Sequence, residues 1–208
     1  MQQINTDILI IGGGPAGLSA ALEAEKLGVK KILVIDRDVE LGGILPQCIH
    51  DGFGIHECGA RLTGPQYAQK YIDRALNSDS IQIMLDTMVL EITSDRIAYA
   101  CNSTKGIVKI DAKAIILAMG CSERTAAQVL LYGYRPAGVI TAGSVQRYIN
   151  REGYLPGKKA VILGSGDIGL IMARRMTLEG IEVEGVYEKM PSPGGLTRNI
   201  VQCLDDYD

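Results

Sequence analysis

Six glycines and two carboxylates carry the clearest chemistry in this chain of 208 residues. They fall in two stretches, Ile8-Leu-Ile-Ile-Gly-Gly-Gly-Pro-Ala-Gly-Leu18 and Ala160-Val-Ile-Leu-Gly-Ser-Gly-Asp-Ile-Gly-Leu170. In each, an apolar run stops at a glycine and a helical pattern follows. A glycine turn between a buried strand and a helix is what a dinucleotide pyrophosphate needs. Gly12 permits the sharp turn, Gly14 lets backbone approach the phosphates without a Cβ in the way, and Gly17 lets helix pack on strand. Pro15 suits a first helical turn, where an N–H would have no partner, and Ala16 follows where free amides and the helix dipole attract negative charge. Asp36 closes the next apolar strand, Lys31-Ile-Leu-Val-Ile-Asp36, 24 positions after Gly12, close to where a carboxylate meets a ribose hydroxyl.

The second stretch repeats the first at a constant offset of 152 positions. Gly12, Gly14 and Gly17 correspond to Gly164, Gly166 and Gly169; Gly28 to Gly180; Asp36 to Glu188; Gly42-Gly43 to Gly194-Gly195. Asp167 and Ile168 stand where Pro15 and Ala16 stand in the first copy. Repeats decide architecture before finer features do. Two copies, each with its acid, suggest two nucleotides, and a flavin beside a nicotinamide would form an electron-transfer pair. Glu188 can accept hydrogen bonds from both ribose hydroxyls, while a 2′-phosphate would meet like charge. NAD is therefore expected over NADP, with the adjacent Lys189 arguing the other way.

A third cluster is Cys48, His50, Asp51, His56 and Cys58, crowded into eleven positions. Three readings stand: a redox disulfide between Cys48 and Cys58, a metal site with spacings unlike familiar zinc modules, or a glycine-rich segment lying against a ligand. Cys101 and Cys121, in or beside apolar strands, are expected to be small buried hydrophobes. Ser122-Glu-Arg-Thr125 follows a strand end, so it reads equally as a ligand-binding or a solvated loop. Arg37 is either a contact to an adenosine or an ordinary surface arginine.

These residues must be positioned by alternating strands and helices. Leu18 to Leu27 has helical spacing and ends at Gly28, whereas residues 37 to 62 show no periodic element. Thr63-Gly64-Pro65 opens a helix with Tyr67, Ala68, Tyr71, Ile72 and Ala75 on one face. Ile81 to Leu85 predicts a third parallel strand. Val89 to Thr93, Arg96 to Cys101 and Gly106 to Ile110 predict an antiparallel meander. Ala114 to Met119 predicts a separate central parallel strand. A short strand at Val139 to Thr141 and a helix from Ser144 to Arg151 precede the linker Leu155-Pro-Gly157. From Ala160 only 49 residues remain, enough for strand, helix, strand and the start of a helix at Asn199 to Leu204, but not for the third strand of a mononucleotide-binding half. The expected fold is α/β: a Rossmann-like domain over residues 1–157, with a parallel sheet and a three-stranded antiparallel meander, then an incomplete second Rossmann-like unit over 158–208.

Composition narrows the class. Twenty-five glycines suit an α/β fold, and nine Tyr, one Phe and no Trp imply an aliphatic core. A net charge of −3 gives no reason to expect nucleic acid or an anionic membrane as partner. The apolar run at residues 8 to 11 is too short for a signal-peptide core or a membrane span. Five cysteines, an odd number without a framework, suggest the reducing cytoplasm.

The chain resembles the flavin- and nicotinamide-dependent oxidoreductases with two dinucleotide-binding domains, the glutathione-reductase-like superfamily. Gly12 to Gly17 with Asp36 looks like its FAD fingerprint, and Gly164 to Gly169 with Glu188 like its NAD(P)H fingerprint. Ala118-Met-Gly120 looks like its Ala-Thr-Gly motif with Met in place of Thr. Gly42-Gly-Ile-Leu-Pro-Gln-Cys-Ile-His50 and Met119-Gly-Cys-Ser-Glu-Arg-Thr125 resemble the branch of stand-alone NAD/FAD-dependent dehydrogenases and the α-subunits of opine, proline and sarcosine oxidising complexes. The resemblance implies FAD at the first turn and NAD at the second. It puts adenine near Val89, ribose on Asp36, Gly43 toward the flavin end, and Gln47, Cys48 and His50 as polar neighbours of the flavin ring. Cys48 is the one catalytic candidate, although the superfamily's disulfide reductases separate their two cysteines by four residues and here nine intervene between Cys48 and Cys58. An electron acceptor, small molecule or protein, is implied but not identified. Relatives run to about twice this length, so the chain looks like the front half of such an enzyme, completed by a second chain or a homo-oligomer.

Overall fold

The computed structural model describes residues 1–134 and 136–204; the last four residues of the expected second domain, 205–208, lie outside them. By contact the chain divides into two units, Met1–Cys121 and Ser122–Asp208. The sequence boundary was expected at 157, so residues 122–157 pack by contact with the second unit rather than the first.

The first unit is built on β1 (Gln2–Ile11), α1 (Pro15–Lys26), β2 (Ile32–Ile35), β3 (Asp51–Phe53), α2 (Ile55–Cys58), β4 (Leu62–Thr63), α3 (Gly64–Leu76), β5 (Ile81–Met84), β6 (Thr87–Ile92), β7 (Ile97–Asn102) and β8 (Gly106–Leu117). Its sheet has the order β5-β2-β1-β8-β7-β6. The first four strands are parallel, and β8, β7 and β6 run antiparallel, as the fold reading expected. One element differs from expectation. Residues 106–117 form a single twelve-residue strand, which pairs antiparallel with β7 and parallel with β1 from Gln2↔Val108 to Ile11↔Leu117. Between the two expected strands, Asp111 and Lys113 are exposed positions of the continuous strand, with Ala112 buried between them.

Both faces of the sheet are covered. Ile10, Ile32 and Val34 pack under α1 and α3 with Leu18, Leu22, Tyr71 and Ala75. Leu9, Ile11, Leu33 and Ile35 pack on the other face with Ala98, Ala100, Val108 and Ile110. This explains the unbroken apolar runs of β1 and β2, since a strand buried on both sides has no polar alternation. Helix α3 starts at a capping box: Thr63 Oγ1 accepts from the Gln66 N–H (3.4 Å) and Gln66 Oε1 accepts from the Thr63 N–H (3.0 Å). The stretch without periodicity, residues 37–62, folds as a short 3-10 turn (Leu45–Gln47) and a small hairpin, β3 with β4, around α2.

The second unit comprises α4 (Ala142–Arg147), a wide turn at Tyr148–Glu152, β9 (Lys159–Leu163), α5 (Asp167–Leu178), β10 (Glu182–Tyr187) and α6 (Thr197–Cys203). The expected strand at 139–141 does not form; Thr141 instead caps α4, accepting from the Ser144 N–H. Helix α4 packs Val145, and the following turn packs Ile149, against Met172, Met176 and Ile181. That contact draws residues 122–157 to this unit. Among the described residues its sheet has two parallel strands, β10 and β9. Val161 and Leu163 are therefore exposed, at 57% and 68%, where their first-unit counterparts Leu9 and Ile11 are at 0% and 6%. No helix among the described residues is long and apolar enough to cross a membrane.

Candidate functional site

The first turn joins β1 to α1 at the C-terminal end of the parallel strands. The Gly12 N–H donates to the Ile35 carbonyl (2.8 Å), tying the turn to β2. Asp36, next in line, accepts from the Gly13 N–H through Oδ2 (2.6 Å) and from the Asp38 N–H through Oδ1 (2.9 Å). Gly14 is the N-cap of α1 and no side chain caps it, so the first helical amides are left to whatever lies above the turn. Close approach explains the glycines. Gly12 has φ +112°, and a Cβ there would fall on the Ala118 carbonyl oxygen. At Gly43 a Cβ would come within 2.9 Å of Gly14 Cα.

The other expected residues gather around this turn to different degrees. Ala118 donates its N–H to the Ile11 carbonyl (2.8 Å), which sets the Ala-Met-Gly segment beside Gly12; Gly120 is exposed with φ +67°. Gly42 donates its N–H to the Gly13 carbonyl (2.9 Å) and so brings the segment holding Gly43, Gln47 and Cys48 to the turn. The Thr87 N–H donates to the Asp36 carbonyl (2.8 Å), and half-buried Val89 lies two residues further along β6. Arg37 is exposed.

The second turn repeats these bonds atom for atom at the same offset. The Gly164 N–H donates to the Tyr187 carbonyl (2.7 Å), the Ser165 N–H to Glu188 Oε2 (3.0 Å) and the Met190 N–H to Glu188 Oε1 (2.9 Å). Gly166 is an N-cap without a side-chain cap, and a Cβ on it would meet nothing within 4 Å, so space over the turn is open. Two features are new. The Ser165 hydroxyl also donates to Glu188 Oε2 (2.5 Å). Asp167, the first residue of α5, accepts through Oδ1 from the Leu196 N–H and from Asn199 Nδ2, both at 2.7 Å. These bonds hold its carboxyl below the usual range, the Leu196 amide most and the Arg198 charge least. The Ser165 hydroxyl, then the Met190 and Ser165 amides, lower the Glu188 carboxyl to about 2. Ile168 is exposed on α5, and Gly169 is buried against the Gly164 carbonyl.

The cysteine and histidine cluster resolves differently. Cys48 and Cys58 are free thiols. Cys48 is buried and sits 3.3 Å from the Ile44 carbonyl as donor; burial pushes its thiol up. Among the described residues no three His, Cys, Asp or Glu side chains come together to hold a metal ion. Cys101 and Cys121, expected to be buried, are exposed. Cys101 falls on the outward side of the β7 alternation, between buried Ala100 and Asn102, and Cys121 lies beyond the end of β8. Glu123 bonds Thr141 Oγ1 (2.5 Å) and the Gly143 N–H (2.7 Å), which gives the Ser122–Thr125 loop a structural tie to α4.

One cluster was invisible in the sequence. Glu57 of α2 accepts from the Tyr67 hydroxyl (2.6 Å) and from the Tyr71 hydroxyl, and the Phe53 ring stacks on Tyr67. The tyrosine hydroxyls, Tyr67 first, hold the Glu57 carboxyl below its usual range, while burial and then Glu57 push Tyr71 up. Helical spacing had marked both tyrosines as apolar-face residues and said nothing of their hydroxyls. The roles of Gly13 and Ser165 were also missed; the signal was the middle residue of each G-x-G.

The chain thus carries two glycine turns in tandem, each closed by its own carboxylate. Residues 6–202 match the family described as pyridine nucleotide-disulphide oxidoreductase, and the chain belongs to that family. It is 29% identical over 181 residues to the hydrogen cyanide synthase subunit HcnB of Pseudomonas protegens, covering 86% of this chain and 38% of that protein. It is 28% identical over 176 residues to an opine oxidase subunit of Rhizobium meliloti, covering 84% and 37%. The fold also matches the L-proline dehydrogenase of P. horikoshii, with a TM-score of 0.69 at 20% identity over 88% of this chain and 36% of that one. The chain thus spans about two-fifths of the length of these relatives.

Proposed function

We propose that the chain is the nucleotide-binding part of a FAD-dependent oxidoreductase that takes reducing equivalents from NADH, with FAD at the first turn and NADH at the second. Passage in the opposite sense, as a dehydrogenase, uses the same residues. The observation that supports this reading is the recurrence, 152 positions apart, of the bond from a glycine-turn amide to the acid ending the next strand. FAD supplies the redox chemistry by accepting a hydride and passing electrons to an acceptor. The protein's contribution is to bind and orient: uncapped helix amides for the two pyrophosphates, Asp36 and Glu188 for the riboses, Val89 for the adenine of FAD, and Gly42, Gly43 and Gln47 toward its flavin end. Glu188 favours NADH over NADPH through like-charge repulsion. Cys48, buried and protonated, acts as a neutral neighbour of the flavin rather than as a nucleophile. Five cysteines fit a reducing compartment, the cytoplasm.

Purified chain mixed with FAD should retain a flavin absorbance after desalting, and NADH should bleach it. A chain that retains no flavin even at excess FAD, under conditions where it is folded, overturns the assignment of the first turn.

A second reading is favoured by two observations: the β9–β10 sheet has two strands among the described residues, and the HcnB and opine oxidase relatives are named as subunits. In that reading the chain binds nucleotides but turns over only beside a partner chain or a second copy. FAD retention without any NADH oxidation would select it.

A further inference from the structure

We propose that Ser165 is a specificity-determining positioning residue of the second turn: its hydroxyl clamps the Glu188 carboxylate against the turn, so that the acid cannot swing aside to admit a 2′-phosphate. The inference rests on the reading of this turn as a nicotinamide dinucleotide site.

The hydrogen bonds run in one direction. The Gly194 N–H donates to Ser165 Oγ (2.9 Å), so the hydroxyl proton is free to go to Glu188 Oε2 (2.5 Å). The same oxygen takes the Ser165 N–H, and Oε1 takes the Met190 N–H. A carboxylate offers about four acceptor positions, and these three bonds, with the Lys189 amide also acting on the carboxyl, leave little room for ribose hydroxyls. Glu188 then discriminates against a 2′-phosphate mainly through its charge rather than through the expected pair of ribose bonds. Ser165 itself is 3% exposed and has little freedom to let go.

The first turn has no such clamp. Its acid is Asp36, one methylene shorter, and backbone amides alone hold it. Its middle residue is glycine because a Cβ at Gly13 would come within 2.5 Å of Leu41 Cδ2. In the second turn Leu41 is replaced by Pro193, and Ser165 stands where the first turn has Gly13. Glutamate has one more rotatable bond than aspartate, and Glu188 is exposed, so without the hydroxyl it would sample positions that leave the ribose edge open. Clamped, its charge stays where a 2′-phosphate would lie.

The test uses the full chain and the variants Ser165→Ala and Ser165→Thr. Dissociation constants for NADH and NADPH come from calorimetry, and the Glu188 carboxyl is titrated by carbon-13 NMR without nucleotide. For Ser165→Ala the NADH-over-NADPH ratio should fall about tenfold, mostly by tighter NADPH binding. Because the lowered carboxyl stays charged until pH falls below its usual range, its titration should move from about 2 toward 4.5 in the alanine variant. Ser165→Thr, which keeps the hydroxyl, should retain both properties. An unchanged ratio in Ser165→Ala, with NADH still bound, overturns the clamp but leaves the site standing. Loss of the ratio in Ser165→Thr despite a low Glu188 titration also overturns it. If the unsubstituted chain binds neither dinucleotide, the reading of the second turn fails and takes the clamp with it.

Discussion

The two glycine turns share a bond pattern and differ in what surrounds it. In the first, β1 is paired on both sides, by β2 and β8, and both sheet faces are covered. In the second, among the described residues, β9 is paired with β10 alone, and its alternate side chains are exposed. The first turn meets its following loop backbone to backbone, through Gly42 and Gly13. The second meets it through side chains, Ser165 to Gly194 and Asp167 to Leu196. A sheet paired and packed on all sides can hold a turn by its framework. A two-stranded one needs local polar ties, which are specific but individually weak in contact with water.

The sharpest way to break this comparison is to add the same methyl group to both turns. A Cβ on Gly17 would fall on the Gly12 carbonyl oxygen and come within 3.3 Å of Ile10 Cγ2. Neither can retreat, because β1 is fixed by two neighbours. Gly17→Ala should cost about 3 kcal/mol or more in unfolding free energy and abolish FAD retention. A Cβ on Gly169 would lie 2.6 Å from the carbonyl oxygen of Gly164, which follows a strand paired on one side among the described residues. Gly169→Ala should cost about 1–2 kcal/mol and leave flavin content intact. Equal losses, measured by denaturant melts, would mean that the second turn is held as rigidly as the first.

Amide hydrogen exchange sharpens the same contrast without substitution. Ile32 to Ile35 are fully buried in β2, between β1 and β5. Val161 to Leu163 sit in β9 with two of three side chains exposed. The first set should exchange on the order of a hundredfold or more slowly than the second. Similar protection in a monomer would show that the second unit is stable on its own.

What the sequence revealed follows from range. The turns, helix α1 and the start of α3 depend on residues within a few positions, and the acids on a fixed distance from each turn, so spacing located them. The Ser165 clamp joins residues 23 positions apart through a hydroxyl, and no periodicity signals that. The Glu57 bonds to Tyr67 and Tyr71 were hidden because helical spacing records a face, not a polar tip. The break expected between Ile110 and Ala114 does not occur, because Asp111 and Lys113 take exposed positions on one strand, with Ala112 buried between them. Cys101 is exposed because strand alternation turns it outward, whereas the packing of Val145 and Ile149 on Met172 and Met176, which groups residues 122–157 with the second unit, is visible only in three dimensions.

The smallest expected effect concerns Asp167, which stands where the first turn has Pro15. A carboxylate at a helix N-terminus is favourable by itself, since the dipole attracts it. The same attraction is what a pyrophosphate uses. The helix dipole at the second turn is therefore already partly neutralised, and that at the first is not. Mild acid does not relieve this: the Leu196 amide first, then Asn199, hold the carboxyl below the usual carboxylate range, so it keeps its charge until the pH falls below that range. Asp167→Asn removes the charge and leaves an Oδ1 that can still accept from the Leu196 and Asn199 N–H groups. NADH should bind about twofold to fivefold tighter to that variant. FAD binding should not move, because the substitution lies in the other unit. Weaker NADH binding would mean instead that the charge is needed to latch residues 194–199 to the turn, and that this latch, more than the dipole, shapes the second site.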